Sequence, residues 1–478
     1  MSARPAGNAV VVGSGPNGLA AAITLAHAGM PVTVLEGAPG IGGGTRTEEL
    51  TLPGFLHDVC SAVHPLAVAS PFLATLPLHL HGLEWVYPEV QLAHPLDGGT
   101  AAILCRDIDE TAAGLGADGA MYRRLMDPLS RQWDHLAPDL LAPLHFPRYP
   151  LQFALFGMKA VLPAMLFARL AFRAKPARAL FTGMAAHSFL PLNQLLTAAF
   201  GLLLGSLGHT AGWPVAKGGS RAVTGAMASY LRSLGGTIVT DARITSVREL
   251  PPAQVVMLDV TARQLAELAG TLLPPRYRRR LQRYRYGPGV FKVDWALNGP
   301  IPWTAEGCRK AGTVHLGGTA EEVARGEQEV WRGVHPERPF VLLVQPSLLD
   351  STRAPAGLHV GWAYCHVPNG STFDMADRVE AQVERFAPGF RRLIIARHTR
   401  NCAGYERYDP NFIGGDINGG VQDLRQFLAR PTLLSPYRTP LKGVYLCSSG
   451  TPPGGGVHGM CGYHAATAAL QDQGYLEP

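Results

Sequence analysis

The first eighteen residues constrain this chain more than any other stretch. Asn8-Ala-Val-Val-Val-Gly13 is a short apolar run of the kind a strand buried on both faces requires, and Gly13-Ser-Gly15-Pro16-Asn17-Gly18 follows it directly. Leu19 to Ala28 then reads as a helix. Between a strand and a helix each glycine has a task. The first makes the tight turn, the second lets a pyrophosphate approach the backbone, and the third lets the helix pack on the strand, leaving the phosphates at the helix N-terminus. The next strand, Val32-Thr-Val-Leu35, ends at Glu36, whose carboxylate is placed to accept hydrogen bonds from an adenosine ribose and so favours one without a phosphate. The same spacing recurs at Gly114-Leu-Gly116-Ala-Asp-Gly119, but an acidic, helix-like stretch precedes it and no strand feeds it. A second nucleotide domain is therefore not expected.

The continuation Gly42-Gly43-Gly44-Thr45-Arg46-Thr47 points to FAD rather than NAD. Glycines there let the chain pass close to a pyrophosphate, which Arg46 or the threonine hydroxyls can neutralise. Near the other end, Gly443-Val-Tyr-Leu-Cys447-Ser-Ser-Gly450 reads as another buried strand and turn. It leads through Gly454-Gly455-Gly456-Val457-His458-Gly459-Met460 to a helix expected over 461–471. A helix N-terminus aimed at flavin N1 and the C2 carbonyl stabilises the negative charge that reduction places there.

On these residues the chain resembles the phytoene-desaturase-like branch of the flavin amine-oxidase superfamily, whose members carry a segment similar to Gly454–Tyr463. The resemblance is specific in the first sixty and last seventy residues. Pro214–Ser220 and Gly235-Gly236 resemble the family's central segment, and Ala242-Arg-Ile-Thr-Ser-Val247 a strand touching adenine. It implies an α/β fold: a Rossmann-type FAD domain assembled from residues 1–75, 214–285 and 405–478, with an inserted α+β substrate domain from 76–213 and 286–404. It also implies a cofactor shell of Gly13, Gly15, Pro16, Asn17, Gly18, Glu36, Gly43, Gly44, Thr45, Arg46, Val247, Gly450, Gly456, Val457, His458, Gly459 and Met460.

Composition supports a folded, two-domain chain. Apolar residues reach 47% and charged ones only 16%, which excludes a disordered protein, and 478 residues exceed one ordinary core. The net charge of +6 is scattered, with no basic, aromatic-interleaved helix, so no nucleic acid partner is expected. Seven widely spaced cysteines without a C-x-x-C pair fit a reducing compartment and no metal. No signal peptide is read at the N-terminus, so the expected location is the cytoplasm, with peripheral membrane contact open because of residues 151–172. There Gln152, Lys159, Arg169 and Arg173 fall within about a third of a helical wheel and leave a broad apolar face. Either this helix packs on its own domain or it lies on a bilayer.

In Gly287–Leu297 the alternation suits a strand, and Lys292 sits where, in amine-oxidase-like flavoenzymes, a lysine holds a water near flavin N5. The alternative is a structural lysine paired with a carboxylate. His64 and the Trp362-Ala-Tyr364-Cys-His366 segment are further pocket candidates, each set against the reading of a hydrogen-bonded core residue. Lys292 and His64 are the candidate catalytic pair. The expected activity is hydride transfer between FAD and an apolar, carotenoid-, polyprenoid- or lipid-like substrate. Amine oxidation is the first rival, and a flavin-binding regulatory protein without turnover the second. Oligomeric state is left open.

Overall fold

Twelve strands build the two principal sheets of the computed structural model, which describes residues 7–476. In chain order they are β1 (Ala9–Val12), β2 (Val32–Leu35), β3 (Val90–Leu96), β4 (Thr100–Cys105), β5 (Thr237–Val239), β6 (Val255–Leu258), β7 (Gly289–Leu297), β8 (Ala311–Leu316), β9 (Val341–Val344), β10 (His359–Val367), β11 (Ile394–Arg400) and β12 (Val444–Leu446). Seven helices matter here: α1 (Pro16–His27), α2 (Pro150–Ala160), α3 (Ala164–Ala171), α4 (Lys175–Ala185), α5 (Thr197–His209), α6 (Arg221–Ser233) and α7 (Met460–Asp472).

The first sheet has the order β12-β6-β1-β2-β5 and is parallel throughout. Central β1 is buried along its whole length, as a strand covered on both faces must be. Gly13 takes φ +100°, a conformation a Cβ disfavours, and turns the chain into α1, where Pro16 supplies a helix-compatible φ. At Gly18 a Cβ would stand 2.2 Å from the Gly13 carbonyl oxygen, so this glycine lets helix and strand touch. A Cβ on Gly462 would lie 1.8 Å from the Asn17 carbonyl oxygen, and through that glycine α7 crosses the start of α1.

The second sheet, β11-β7-β10-β9-β8-β3-β4, is mixed and draws its strands from 90–105 and 289–400. Its two faces sort by the period of two. Phe291, Val293, Trp295, Leu343, Ala363 and Cys365 face one core. Val290, Leu342, Val344, Trp362 and Tyr364 face the other, which they share with α1, α4 and α5. On that second face the antiparallel pairs Lys292–Tyr364, Asp294–Trp362, Val344–Trp362, Thr313–Val344 and His315–Leu342 set polar residues side by side with aromatic and aliphatic ones.

Two expectations are corrected. Residues 151–172 are not one helix: α2 and α3 meet at a 98° bend across 161–163, because Pro163 cannot continue the helix and instead precedes a new one. Neither is long and apolar enough to cross a membrane. One side of each packs into the core through Phe156, Met165 and Phe167, but Leu151 (69%), Met158 (63%) and Leu170 (72%) stand exposed on the other. Ala242–Val247 is not a strand. Asp241 has φ +55°, the Thr245 amide and hydroxyl both donate to Glu249, and Ser246 caps a short 3-10 turn over Val247–Glu249. Local side-chain bonds have replaced a sheet ladder there. The edge strand of this region is β5.

Candidate flavin and substrate cavity

One continuous cavity of about 850 Å³ runs from the glycine turn after β1 to the polar-and-aromatic face of the second sheet. At its nucleotide end it is lined by Gly13, Gly15, Pro16, Asn17, Glu36, Gly43, Gly44, Thr45 and Arg46, drawn from the turns that follow β1 and β2. Ala242–Thr245 forms the far edge, Cys60–Leu66 and Ser449 the middle, and Gly456 and Val457 the floor below α7.

Glu36 is held for ligand contact by its neighbours. Its Oε2 accepts the Ser14 amide at 2.9 Å and the Ser14 hydroxyl at 2.5 Å, its Oε1 accepts the Ala38 amide at 2.9 Å, and Arg46 lies 3.4 Å away. Arg46 also donates from Nε to the Gly40 carbonyl at 3.0 Å and lies over the Tyr408 ring. The threonines do not share its task. Thr45 donates to the Gly42 carbonyl and meets Thr224, and Thr47 donates to Asp58.

Gly15 and Gly43 approach back to back: a Cβ on Gly43 would be 3.2 Å from Gly15 Cα, so bare backbone from both turns faces the space between them. Three buried amides on the cavity wall, Asn17 Oδ1, Asn411 Oδ1 and Asn418 Nδ2, have no hydrogen-bond partner in the protein. Bare backbone at a helix N-terminus, an acidic residue after the second strand and orphaned amide groups together fit a dinucleotide. Sequence reasoning did not find Asp259, which follows β6 and accepts the Gly18 amide at 2.9 Å. Burial raises its carboxyl to about 7, with the nearby Asp409 and Glu36 acting in the same direction and the Gly18 N–H opposing.

Several candidate residues lie away from the cavity lining. Gly18 packs helix on strand. Val247 sits in the short 3-10 turn and packs beside the β6 core. His458 is buried behind the floor, where its Nδ1 accepts the Met460 amide at 3.0 Å and its backbone carbonyl accepts the Ser70 hydroxyl. Desolvation lowers its imidazole to about 4, which keeps Nδ1 free to accept. Gly459 backs onto Ala20, Met460 is core, and Gly450 accepts from the Tyr284 hydroxyl. These residues shape the floor, while Gly456 and Val457 line it.

His64 lines the cavity and Lys292 stands one layer behind it. Ser220 spends its one proton on the Ser61 carbonyl at 2.6 Å, so His64 Nε2 must donate to Ser220 at 2.9 Å, and His64 Nδ1 is left as an unpaired acceptor. Burial lowers this imidazole to about 4, which keeps it neutral. The Lys292 ammonium is buried in an ion pair with Asp294 and lies 5.6 Å from the Trp362 ring. Desolvation pulls the lysine below its ordinary value, while its charge helps hold Asp294 below the usual carboxylate range. His57 and His398 each approach Asp294 at 3.5 Å.

Leu204, Trp213, Leu342, Val344, Trp362 and Tyr364 form the wall at the substrate end, with Thr313 and His187 as its polar members. The indoles are not free: Trp213 donates to the Leu204 carbonyl and Trp362 to that of Asp58. His366 pairs with Glu327 at 2.8 Å and packs on Phe189, which makes it part of the supporting layer. Among the described residues no group of histidines, cysteines and carboxylates could hold a metal ion.

Comparison with known proteins agrees with this geometry. Residues 11–73 match the family described as NAD(P)-binding Rossmann-like domain. The chain is 27% identical to the rat pyridine nucleotide-disulfide oxidoreductase domain-containing protein 2, over 98% of this chain and 94% of the relative. It is 22% identical to a lycopene-forming phytoene desaturase of Paracoccus sp., over 58% and 59%. Among solved structures, cyclohexylamine oxidase from Brevibacterium oxydans shares the fold with a TM-score of 0.60 at 14% identity, covering 98% of this chain and all of the other.

Proposed function

We propose that this chain, an FAD-dependent oxidoreductase of the flavin amine-oxidase superfamily, exchanges a hydride with a carbon of an apolar substrate, as a desaturase or dehydrogenase of a lipid- or polyprenoid-like molecule. The observation that carries this reading is the substrate end of the cavity. Its wall is aliphatic and aromatic, its histidine is neutral, and the nearby ammonium of Lys292 is already paired with Asp294. No unpaired charge stands there to complement an ionised substrate.

FAD, when bound, supplies the hydride chemistry. The chain's own residues supply the rest. Glu36 and the glycine turns would hold the dinucleotide, with the bare backbone of Gly15 and Gly43 placed to receive its phosphates. Trp362, Tyr364, Leu342 and Val344 orient an apolar chain and exclude water from it. His64 lines the cavity as a neutral imidazole whose Nδ1 is free to accept a hydrogen bond.

Amine oxidation stays as the rival because Trp362 and Tyr364 meet edge to face at 5.3 Å, a surface that can also take an ammonium. Anaerobic addition of substrates to the holoprotein separates the two. We expect an apolar compound, and no amine, to bleach the oxidised flavin band. Bleaching by amines alone, with peroxide on readmission of air, overturns the reading.

The exposed apolar side chains on α2 and α3, with Lys159 and Arg169 among them and Arg173 just beyond α3, support delivery of that substrate from a membrane surface.

A further inference from the structure

The polar side chains at the substrate end are not needed by an unfunctionalised hydrocarbon. His187 Nε2 and His315 Nε2 lie 3.1 Å apart, so one of them donates. Were His187 the donor, His315 would carry its proton on Nδ1, a buried N–H without a partner. Orphaned buried donors are rarer than orphaned acceptors, so His315 donates and His187 keeps its own proton on Nδ1. His94 Nε2 must donate to the Gly318 carbonyl at 2.8 Å, so its Nδ1 is an acceptor, and neither that nitrogen nor His315 Nδ1 has a hydrogen-bond partner.

His187 Nδ1 has no partner in the protein, and His187 is half-buried, on the cavity wall. Thr313, two residues before His315 on the same face of β8, is 4% exposed, and its hydroxyl is also unpartnered. His187 is bonded to His315, two residues from Thr313 on the same strand face, so both donors stand on one part of a wall that is otherwise apolar. Burial holds His187 at about 3 and His94 at about 4, and drives His315 far below its ordinary value, so none of the three offers a cation.

We propose that the substrate carries one neutral oxygen acceptor, such as a carbonyl, which is received by His187 Nδ1–H and the Thr313 hydroxyl. This rests on the apolar-substrate reading above and narrows it. A hydrocarbon leaves both donors unpaired, a carboxylate finds no cation, and an ammonium meets two more donors. A site built to pair with a substrate group discriminates strongly against analogues that lack it.

The test uses the holoprotein and the perturbation of its flavin spectrum by decane, decan-2-one, decanoate and decylamine. We expect decan-2-one to bind at least about tenfold more tightly than the other three, the scale of one well-paired hydrogen bond. Thr313→Val should remove most of that preference, and Thr313→Ser, which keeps the hydroxyl, should retain it. Equal binding of decane and decan-2-one, or an undiminished preference in Thr313→Val, overturns the proposal while leaving the apolar reading intact. Tightest binding of decylamine, or no perturbation by any of the four, overturns the apolar reading and this proposal with it.

Discussion

Lys292 and Asp294 form a buried ion pair, 1% and 0% exposed, on a strand enclosed by two neighbours. Removing one partner of such a pair leaves an uncompensated charge in a poorly solvating interior and costs about 3–5 kcal/mol, whereas replacing both costs far less. Lys292→Met leaves the buried Asp294 carboxylate with only the imidazoles of His57 and His398, each 3.5 Å away, in place of the ammonium. Asp294→Asn leaves the buried ammonium without its paired carboxylate. Each single variant should therefore lose about 3 kcal/mol or more of stability in urea unfolding of the apoprotein near neutral pH. The double variant should lose less than either, giving a coupling energy of about 3 kcal/mol or more. FAD content of Lys292→Met should be retained, because the lysine is behind the cavity wall. Additive losses, or single losses below about 1 kcal/mol, refute the buried-pair argument. Slowed flavin reduction in Lys292→Met at full FAD content would assign the lysine a role in the chemistry as well, and unchanged rates would assign it to the frame.

Glu36→Ala deprives two backbone N–H groups of their acceptor and the dinucleotide of a ribose contact, so FAD affinity should fall by about 1.5–3 kcal/mol in equilibrium dialysis. An unchanged dissociation constant sinks that assignment. Asp259 is raised to about 7 from its ordinary 3.8, so between those values the fold holds a proton the unfolded chain releases. Its contribution is therefore lost as pH rises through that window, and the stability of Asp259→Asn relative to wild type should grow between about pH 5 and about pH 7.5. A pH-independent difference counts against this. FAD brings further negative charge to the same turn, so its binding should take up a proton and weaken from about pH 6 to about pH 8, less so in Asp259→Asn. Vesicle flotation checks the surface of α2 and α3: wild type should float with anionic vesicles, less at high salt, and Leu151→Glu with Leu170→Glu should stay behind at unchanged FAD content. Failure of wild type to float at low salt ends the membrane reading.

The glycine turn, Glu36 and β12 were legible in the sequence because the demands on them are local: a turn that needs positive φ, a carboxylate at a strand end, an apolar run between breakers. Asp259 was not, since its meaning comes from Gly18, 241 residues away in the chain. His187 and His315 are separated by 128 residues and carry no motif. Ala242–Val247 misled for another reason. Its likeness to a family strand suggested one, but the Thr245 bonds to Glu249 and the Ser246 cap on Arg248 hold a local turn and leave no demand for a sheet partner. The Lys159 stripe misled because a wheel assumes an unbroken axis, and Pro163 breaks it.

The crossing of α7 over α1 through Gly462 sets an order of events during biosynthesis. The floor at Gly456 and Val457 is contributed more than four hundred positions after the turn it completes, a contact of very high sequence separation. While the ribosome is still making the middle of the protein, the nucleotide half-site exists without its cover. The complete site therefore forms only after translation has passed residue 472, and until then β1, β2 and α1 lack the helix that packs on them.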